Sequence, residues 1–290
     1  MSVPRTPLRL PEPHERDPLL RRFRDEVVKP EAEIDFVRAY IALEAFAHPE
    51  ARADWAMARL DDVTQEALKW IDARPVPAAR LSEVLFQNLG FLGDSAHTGD
   101  PENSFFSQVL TRRRGIPISL SVVFLEVARR TGVEAHGLGV PGHFIVRARG
   151  SGESDFTLLD PFYGGTPISV TECAARVAAL SGGRLAFRPQ HLTPVGPRYI
   201  LTRILNNLKS GYAAKDHSAP AAAVVERLLV LDPTNATEWR NLALLRANLG
   251  ERSRSLDAWE RFLALAPPSD ETELARKYAA GLADQLARAN

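Results

Sequence analysis

Apolar residues recur at helical spacing between residues 34 and 89 of the chain. Spacings of three and four residues run through 34–46 and 55–71, and a third stretch of the same character covers 78–89. Such spacing places apolar side chains on one face of a helix. Pro49 and Pro75 separate the stretches, because proline rarely continues a helix. The pattern therefore predicts three helices with short breaks between them.

A further apolar helix is predicted from Pro117 to Thr131. Proline fits the first helical turn, where its missing N–H is not needed, and Gly132 is the kind of residue that ends helices. The helix is predominantly apolar, which predicts that it is buried. The segment before it, residues 90–103, is rich in Gly, Asp, Asn and Pro and is predicted to be a loop long enough to be functional.

The character of the chain then changes to short β-prone runs. These are VEAHGLGV from Val133, HFIVRAR from His143 and FTLLDPF from Phe156, and Gly, Pro and Ser clusters separate them. Such runs indicate antiparallel strands. Helices followed by strands predict an α+β domain, since a doubly wound sheet would need strands that alternate with crossover helices.

The C-terminal part contains a repeat with a period of 34 residues, which is typical of tetratricopeptide hairpins. The first set of positions is Leu205, Leu208, Tyr212, Ala221, Val225, Leu228 and Pro233. The second set is Trp239, Leu242, Arg246, Ser255, Trp259, Phe262 and Pro267. Arg246 departs from the expected aromatic residue. A last helix with Leu274, Tyr278, Leu282 and Leu286 is predicted to close the stack.

These patterns predict two domains, as the length of 290 residues also favours. We expect an N-terminal extension over residues 1–24 and an α+β domain over 25–190. A linker over 191–197 would lead to an all-α repeat domain over 198–290.

Charge and cysteine content narrow the function classes. Lys and Arg together number 36, as do Asp and Glu, so the net charge is zero. A nucleic-acid partner is not expected, since phosphate binding needs an excess of cations. The single cysteine, Cys173, fits a reducing compartment. Without an apolar leader or a long apolar run, the expected location is cytoplasmic, with no membrane contact.

Three segments stand in an informative order: RRRGIPISLS from Arg112, PGHFIVR from Pro141 and LLDPF from Leu158. This order resembles the transglutaminase-like superfamily, in which a nucleophile opens a buried helix and His and Asp follow on neighbouring strands. With helical repeats afterwards, the chain also resembles the bacterial family labelled regulator of sirC expression. The resemblance covers nearly the whole chain. It implies a papain-like or transglutaminase-like fold for the α+β domain and, through the label alone, a regulatory role.

The same resemblance implies site residues. His143 matches the family histidine, and Asp160 matches the acid that would orient it. Active members open the helix with Gly-x-Cys, because a helix N-terminus lowers the pKa of a thiol. This chain has no cysteine there. Counting back without a gap places Pro117 at the nucleophile position, and a shift of two residues places Ser119 there.

Two functions of different classes follow. The leading hypothesis is a non-catalytic protein-interaction or regulatory module that keeps a pocket around His143 and Asp160. The alternative is a hydrolase or acyltransferase that acts on amide or peptide bonds through Ser119, His143 and Asp160. A serine in a first helical turn also commonly bonds to backbone N–H groups, which is the structural interpretation of Ser119.

No metal or cofactor is predicted. His136 and His143 have six residues between them and no cysteine or acidic residue at zinc-like spacing, and no glycine-rich phosphate loop occurs. Cys173 lies in an Ala-rich helical stretch and is predicted to be structural. The expected partner is a protein or peptide that binds the helical repeats or the pocket, and the oligomeric state stays open.

Overall fold

A computed structural model describes residues 17–150 and 152–289, and the part of the predicted extension that covers residues 1–16 lies outside them. The chain divides into two compact units. One comprises residues 30–211, and the other comprises the described parts of 1–29 and 212–290. Residues 17–24, which were expected to belong to an extension, lie in the second of these units. The predicted domain limits themselves stay predictions.

The described residues contain twelve α-helices. In chain order they are α1 (Pro18–Val27), α2 (Phe36–Glu44), α3 (Ala53–Leu68), α4 (Ala78–Glu83), α5 (Phe106–Arg112), α6 (Pro117–Thr131), α7 (Val170–Ser181), α8 (Pro197–Ala213), α9 (Ser218–Leu231), α10 (Ala236–Asn248), α11 (Arg252–Leu265) and α12 (Asp270–Ala289). The strands are β1 (Leu92–Gly93), β2 (Arg114–Gly115), β3 (Glu134–Val140), β4 (His143–Arg149), β5 (Thr157–Asp160) and β6 (Thr166–Ile168).

The unit of residues 30–211 has helices before an antiparallel sheet, which confirms the predicted α+β class. The sheet has the order β3-β4-β5-β6, so that each strand pairs with the next one along the chain. Val140 pairs with His143 across a two-residue turn, and Leu158 pairs with Ile168. β1 and β2 form a separate short parallel pair.

Helix α6 lies at the centre of this unit. Its bounds agree with the sequence prediction, and Gly132 ends it in the left-handed conformation with φ 73°. Residues 118–124 are all buried, including Ser119 and Ser121. A helix that is buried on all sides needs partners for its polar groups, because an unpaired buried hydroxyl costs free energy. The position of these serines therefore matters for the site.

The segment 191–197, which was expected to be a linker, pairs with the sheet. A short 3₁₀ turn spans Pro189–Leu192, and Pro194 forms an antiparallel bridge with Leu138 of β3. The Val195 N–H donates to the Gly137 carbonyl at 3.0 Å. The segment thus covers part of the outer edge of β3.

The other unit confirms the helical-repeat prediction. Helices α9 to α12 bury a common apolar core that includes Trp239, Leu242, Trp259 and Phe262, the large residues of the 34-residue pattern. Ser255, one of the repeated positions, is fully buried, and its Oγ donates to the Ala243 carbonyl at 2.8 Å. A larger side chain would not fit at this crossing.

The contacts of Arg246 explain why it stands where the repeat pattern expects an aromatic residue. It is 8% exposed, and its two terminal nitrogens bond to Glu226 at 2.5 Å and Glu251 at 2.7 Å. A planar guanidinium can bind two carboxylates at once while its methylene groups pack in the core. The repeat therefore uses an ion-pair network where an aromatic side chain would make apolar contacts.

The closing helix α12 packs partly as predicted. Ala275, Ala279 and Leu282 are buried against the repeat core, whereas Leu274 is 70% exposed and Tyr278 is 47% exposed. Their i, i+4, i+7 spacing places the three buried residues on one helix face. The prediction holds for Leu282 and for Tyr278, whose ring centroid lies 5.8 Å from that of Trp259, whereas Leu274 is on the exposed side and alanines complete the contact surface.

Candidate functional site

His143 and Asp160 come together at the ends of neighbouring strands. His143 opens β4, Asp160 ends β5, and His143 Nε2 lies 2.8 Å from Asp160 Oδ2. The His143 residue is 4% exposed, and Asp160 is fully buried. The pairing that the family resemblance implied is therefore present in the geometry. It holds the imidazole in one orientation, as an orienting acid does in catalytic triads.

Asp160 has further partners that fix its carboxylate. Its Oδ1 accepts hydrogen bonds from the N–H groups of Phe162 at 3.1 Å and Tyr163 at 3.4 Å, so that it caps the 3₁₀ turn Pro161–Tyr163. Arg176 of α7 donates to Oδ2. Burial raises the pKa of the Asp160 carboxyl, but the His143 hydrogen bond and charge and the Arg176 guanidinium lower that pKa by more. The carboxyl is thus ionised at neutral pH.

An aromatic rim lies over this buried pair. The His143 ring is 5.8 Å from the Tyr163 ring and 6.2 Å from the Phe162 ring, centroid to centroid. The Arg176 guanidinium carbon lies 4.3 Å from the centre of the Tyr163 ring, a cation–π geometry. Tyr163 is 45% exposed. Sequence reasoning missed Arg176 and Tyr163, since nothing in the local pattern distinguishes them from surface residues.

Ser119 is in a different environment. It is fully buried in the first turn of α6, where its Oγ donates to the Asn103 carbonyl at 2.7 Å. The same oxygen accepts from the Ile116 N–H at 3.0 Å. A Cβ added at Gly115 would lie 2.6 Å from this oxygen, which explains glycine there. The hydroxyl thus joins the start of the helix to the preceding loop.

This geometry does not form a Ser-His-Asp triad. Among residues 17–150 and 152–289 the hydrogen bonds of the Ser119 hydroxyl go to backbone groups of Asn103 and Ile116, and none goes to His143. Pro117 is the first residue of α6, at the helix N-terminus where an ungapped count puts the nucleophile. A proline ring has no nucleophilic atom, so on the ungapped count the nucleophile position would carry no reactive group.

The loop predicted over residues 90–103 is tied to the site at two points. The Asn103 side chain donates to Asp94 at 3.2 Å and to the His97 carbonyl at 3.0 Å. The backbone carbonyl of Asn103 accepts the hydrogen bond from the Ser119 hydroxyl. Near the start of the loop, a Cβ at Gly93 would lie 2.6 Å from the Phe162 ring. Glycine therefore permits the close contact between β1 and the aromatic rim.

Cys173 lies on α7, one turn before Arg176. It is 1% exposed and packs with Leu138, Val140 and Ile145 of the sheet. Burial raises the pKa of its thiol, and the negative charge of Asp160 raises that pKa further. A thiol of raised pKa is a poor nucleophile. Cys173 is therefore poorly suited to act as a nucleophile.

Replacing Ser119 by alanine is expected to destabilise the unit of residues 30–211. The change would remove the hydroxyl from the buried Asn103 carbonyl and the Ile116 N–H, which then keep only the 3.3 Å hydrogen bond to each other. The expected cost is about 0.5–2 kcal/mol, as for the loss of a serine that caps a helix start. Ser121→Ala is the matched control, because the Ser121 hydroxyl only adds a second bond to the Pro117 carbonyl within the same helix. Urea unfolding of both variants checks this, and equal losses would contradict the assigned role.

Comparison with known proteins agrees with this architecture. The family profile of the transglutaminase-like superfamily matches residues 54–206, and a tetratricopeptide repeat profile matches residues 208–283. The chain thus belongs to the transglutaminase-like superfamily, with helical repeats after that domain. Within the superfamily it belongs to the UPF0162 proteins, as the following relatives show. No solved structure matches the chain.

A UPF0162 protein of Xylella fastidiosa is 37% identical over 214 residues, which are 73% of this chain and 75% of that protein. A UPF0162 protein of Vibrio cholerae is 28% identical over 244 residues, or 83% of this chain and 90% of that protein. F-box only protein 21 of Mus musculus is 32% identical over 141 residues, which are 45% of this chain and 21% of that protein. Within the described part of the chain, no helix is long and apolar enough to cross a membrane.

Proposed function

We propose that this protein is a non-catalytic interaction module of the cytoplasm, in which the Phe162–Tyr163 turn is a contact surface for a partner protein. The observation that carries the proposal is the hydrogen bonding of Ser119. Its hydroxyl serves two backbone groups at 2.7 and 3.0 Å, so that it has no proton to give to His143 without releasing the Asn103 carbonyl. Pro117 at the helix start offers no other nucleophile.

Burial of the imidazole supports the same function. The His143 side chain is 3% exposed, and a general base must come within about 3 Å of the proton that it takes. In this proposal the His143–Asp160 pair has a structural task. It holds the turn Pro161–Tyr163 through the two N–H bonds to Asp160. A fixed turn presents Tyr163 in one conformation, which lowers the entropy that binding costs.

Tyr163 and Arg176 have the chemistry of an interaction surface. Tyrosine and arginine are enriched among the residues that carry most of the binding energy in protein interfaces. Tyr163 is 45% exposed, and the Arg176 guanidinium carbon lies 4.3 Å from the centre of its ring. The helical repeats offer a second surface, as such repeats commonly bind proteins. The regulatory role is an implication of the family resemblance, and a nucleic-acid partner is not part of the proposal.

One observation supports the alternative function, a hydrolase or acyltransferase. The 2.8 Å pair of His143 and Asp160 is the base and orienting acid that a hydrolase or acyltransferase would need. For Ser119 to serve as its nucleophile, the hydroxyl would have to leave both backbone partners and reach the imidazole. Breaking those buried bonds opposes the alternative.

Site-specific photocrosslinking tests the interaction surface. A benzophenone amino acid at Tyr163 is compared with the same group at Trp55, an aromatic residue of α3 that is 42% exposed. We expect a discrete protein adduct in cells from position 163 and not from position 55. Arg176→Ala should weaken that adduct, because the ring loses its support. Equal adducts at both positions, or none at 163, would argue against the proposal.

A further inference from the structure

The outer edge of the sheet carries backbone groups that point away from the neighbouring strand. β3 is an edge strand, since the sheet order begins with it. Val140 pairs with His143 across the two-residue turn, and Gly137 uses its carbonyl outward, toward Val195 at 3.0 Å. In an antiparallel ladder the inward and outward residues alternate. Ala135, two residues before Gly137, therefore also directs its N–H and C=O outward.

The chain covers only part of this edge itself. The segment that bridges Leu138 through Pro194 and bonds Gly137 through Val195 ends at Pro197, where α8 begins. Proline has no N–H with which to continue the pairing. Within residues 17–150 and 152–289, the outward N–H and C=O of Ala135 have no hydrogen-bond partner. The edge is open from Gly137 toward the start of β3.

A cavity of about 370 Å³ adjoins the open part of the edge. Its walls come from β3, from α6 and from the start of α8, all within the unit of residues 30–211. The lining is mainly apolar: Phe36, Val122, Leu125, Val133, Val195 and Ile200. Ala135, His136 and Gly137 form the wall that carries the outward backbone groups. Space for an apolar side chain thus lies next to an unpaired strand edge.

The exposed charged side chain at the rim of this cavity is a cation, Arg129. Glu126 lines the cavity but is 8% exposed, and its carboxylate binds both Arg129 at 3.1 Å and Arg130 at 2.7 Å. Arg130 also binds Asp61 at 2.8 Å. The Arg129 side chain, by contrast, is 67% exposed at the rim. It can attract an acidic residue of an incoming chain.

We propose that the open edge of β3 at residues 134–136 binds an extended segment of a partner polypeptide as an added strand. The segment's backbone pairs with Ala135, an apolar side chain enters the cavity, and an acidic residue faces Arg129. Backbone N–H and C=O side by side select an amide chain, because only a polypeptide supplies both partners at strand spacing. The Val195 N–H already bonds to Gly137, two residues along β3 from Ala135, so this edge can pair with another backbone segment. This surface is separate from the Tyr163 turn.

Selection from a phage library of random linear peptides on the full-length protein, followed by fluorescence polarisation, tests the proposal. We expect peptides with an apolar residue close to an acidic one. Ala135→Pro removes the outward N–H without loss of a bond to β4, and should weaken binding by at least about tenfold. Ala135→Val keeps that N–H and is the matched control. Arg129→Glu, at an exposed side chain, should weaken the acidic peptides and tests the proposal even if Ala135→Pro fails to fold.

Each other outcome overturns the proposal. Selection that enriches no peptide would do so, as would peptides that bind Ala135→Pro as tightly as wild type. Loss of binding in Tyr163→Ala, with Ala135→Pro unaffected, would assign the peptides to the other surface. A dimer of the wild type in light scattering that Ala135→Pro abolishes would make a second copy of this chain the occupant. Because Tyr163→Ala should leave the peptides bound, this proposal and the Tyr163 surface can fail independently.

Discussion

Asp160→Ala is expected to lower the free energy of unfolding by about 3–5 kcal/mol, the range for removing one partner of a buried ion pair. The fully buried carboxylate accepts hydrogen bonds from His143, from Arg176 and from two backbone N–H groups. Alanine would leave all these donors without their acceptor. Urea unfolding of the full chain, with hydrogen exchange at β4 and β5 amides as the local probe, measures the loss.

The loss of stability in Asp160→Ala should depend on pH, and two control variants test its cause. Because the pKa of Asp160 is lowered in the folded state, its contribution is present above the unfolded pKa of about 3.9 and is lost as the pH falls through the folded value. The difference between wild type and Asp160→Ala should therefore shrink below about pH 4. Arg176→Ala should cost less, since this side chain is 26% exposed and Asp160 keeps His143. A loss for Asp160→Ala no larger than for the exposed Asp155→Ala would contradict the account.

Glu44→Gln is expected to remove a decline of stability with rising pH that we predict for the wild type. Glu44 is fully buried, and its two oxygens accept the Ser107 N–H at 3.3 Å each. Burial raises the pKa of Glu44 from 4.5 to about 7, although the Ser107 N–H and the charge of His48 oppose the rise. Between those pH values the unfolded chain loses the proton and the folded chain keeps it. Wild type should therefore lose about 3 kcal/mol as the pH rises from 4.5 to 7 and little more above that.

The matched control for this prediction is Glu50→Gln. Glu50 also contacts His48, at 3.2 Å, but its side chain is 71% exposed. It should keep the slope of the wild type, whereas Glu44→Gln should show a flatter profile from pH 4.5 to 7. Unfolding by urea at intervals of half a pH unit measures all three proteins. The same slope in Glu44→Gln as in wild type would show that another group causes the decline.

Local patterns predicted much of the fold. The limits of α6 and the three short β-prone runs that became β3, β4 and β5 follow from spacing, turn residues and β-propensity, which act over a few neighbours. The 34-residue period likewise predicted α9 to α11. Long-range packing was not predictable in the same way. Helix α1 belongs to the repeat unit although the 182 residues from 30 to 211 separate it from the helical repeats, and no local signal reports such a contact.

In the candidate site, too, some residues could be predicted from the sequence and others could not. His143 and Asp160 were predicted through the family resemblance, and the structure pairs them at 2.8 Å. Arg176 reaches Asp160 from helix α7, and Asn103 reaches Ser119 from the 3₁₀ turn Pro101–Ser104, which precedes α5. Neither contact follows from spacing, because each depends on how elements pack in three dimensions. The sequence left two roles open for Ser119, and only the hydrogen-bond partners distinguish a helix-start residue from a nucleophile.

Covalent labelling by a serine-directed fluorophosphonate probe tests whether Ser119 is a nucleophile. Purified wild type, Ser119→Ala and His143→Ala are compared, with circular dichroism to confirm that each is folded and a smaller acyl probe to check access. We expect wild type to be labelled no more than Ser119→Ala. Labelling of wild type that disappears in both folded variants would contradict it and would establish Ser119 and His143 as a catalytic pair.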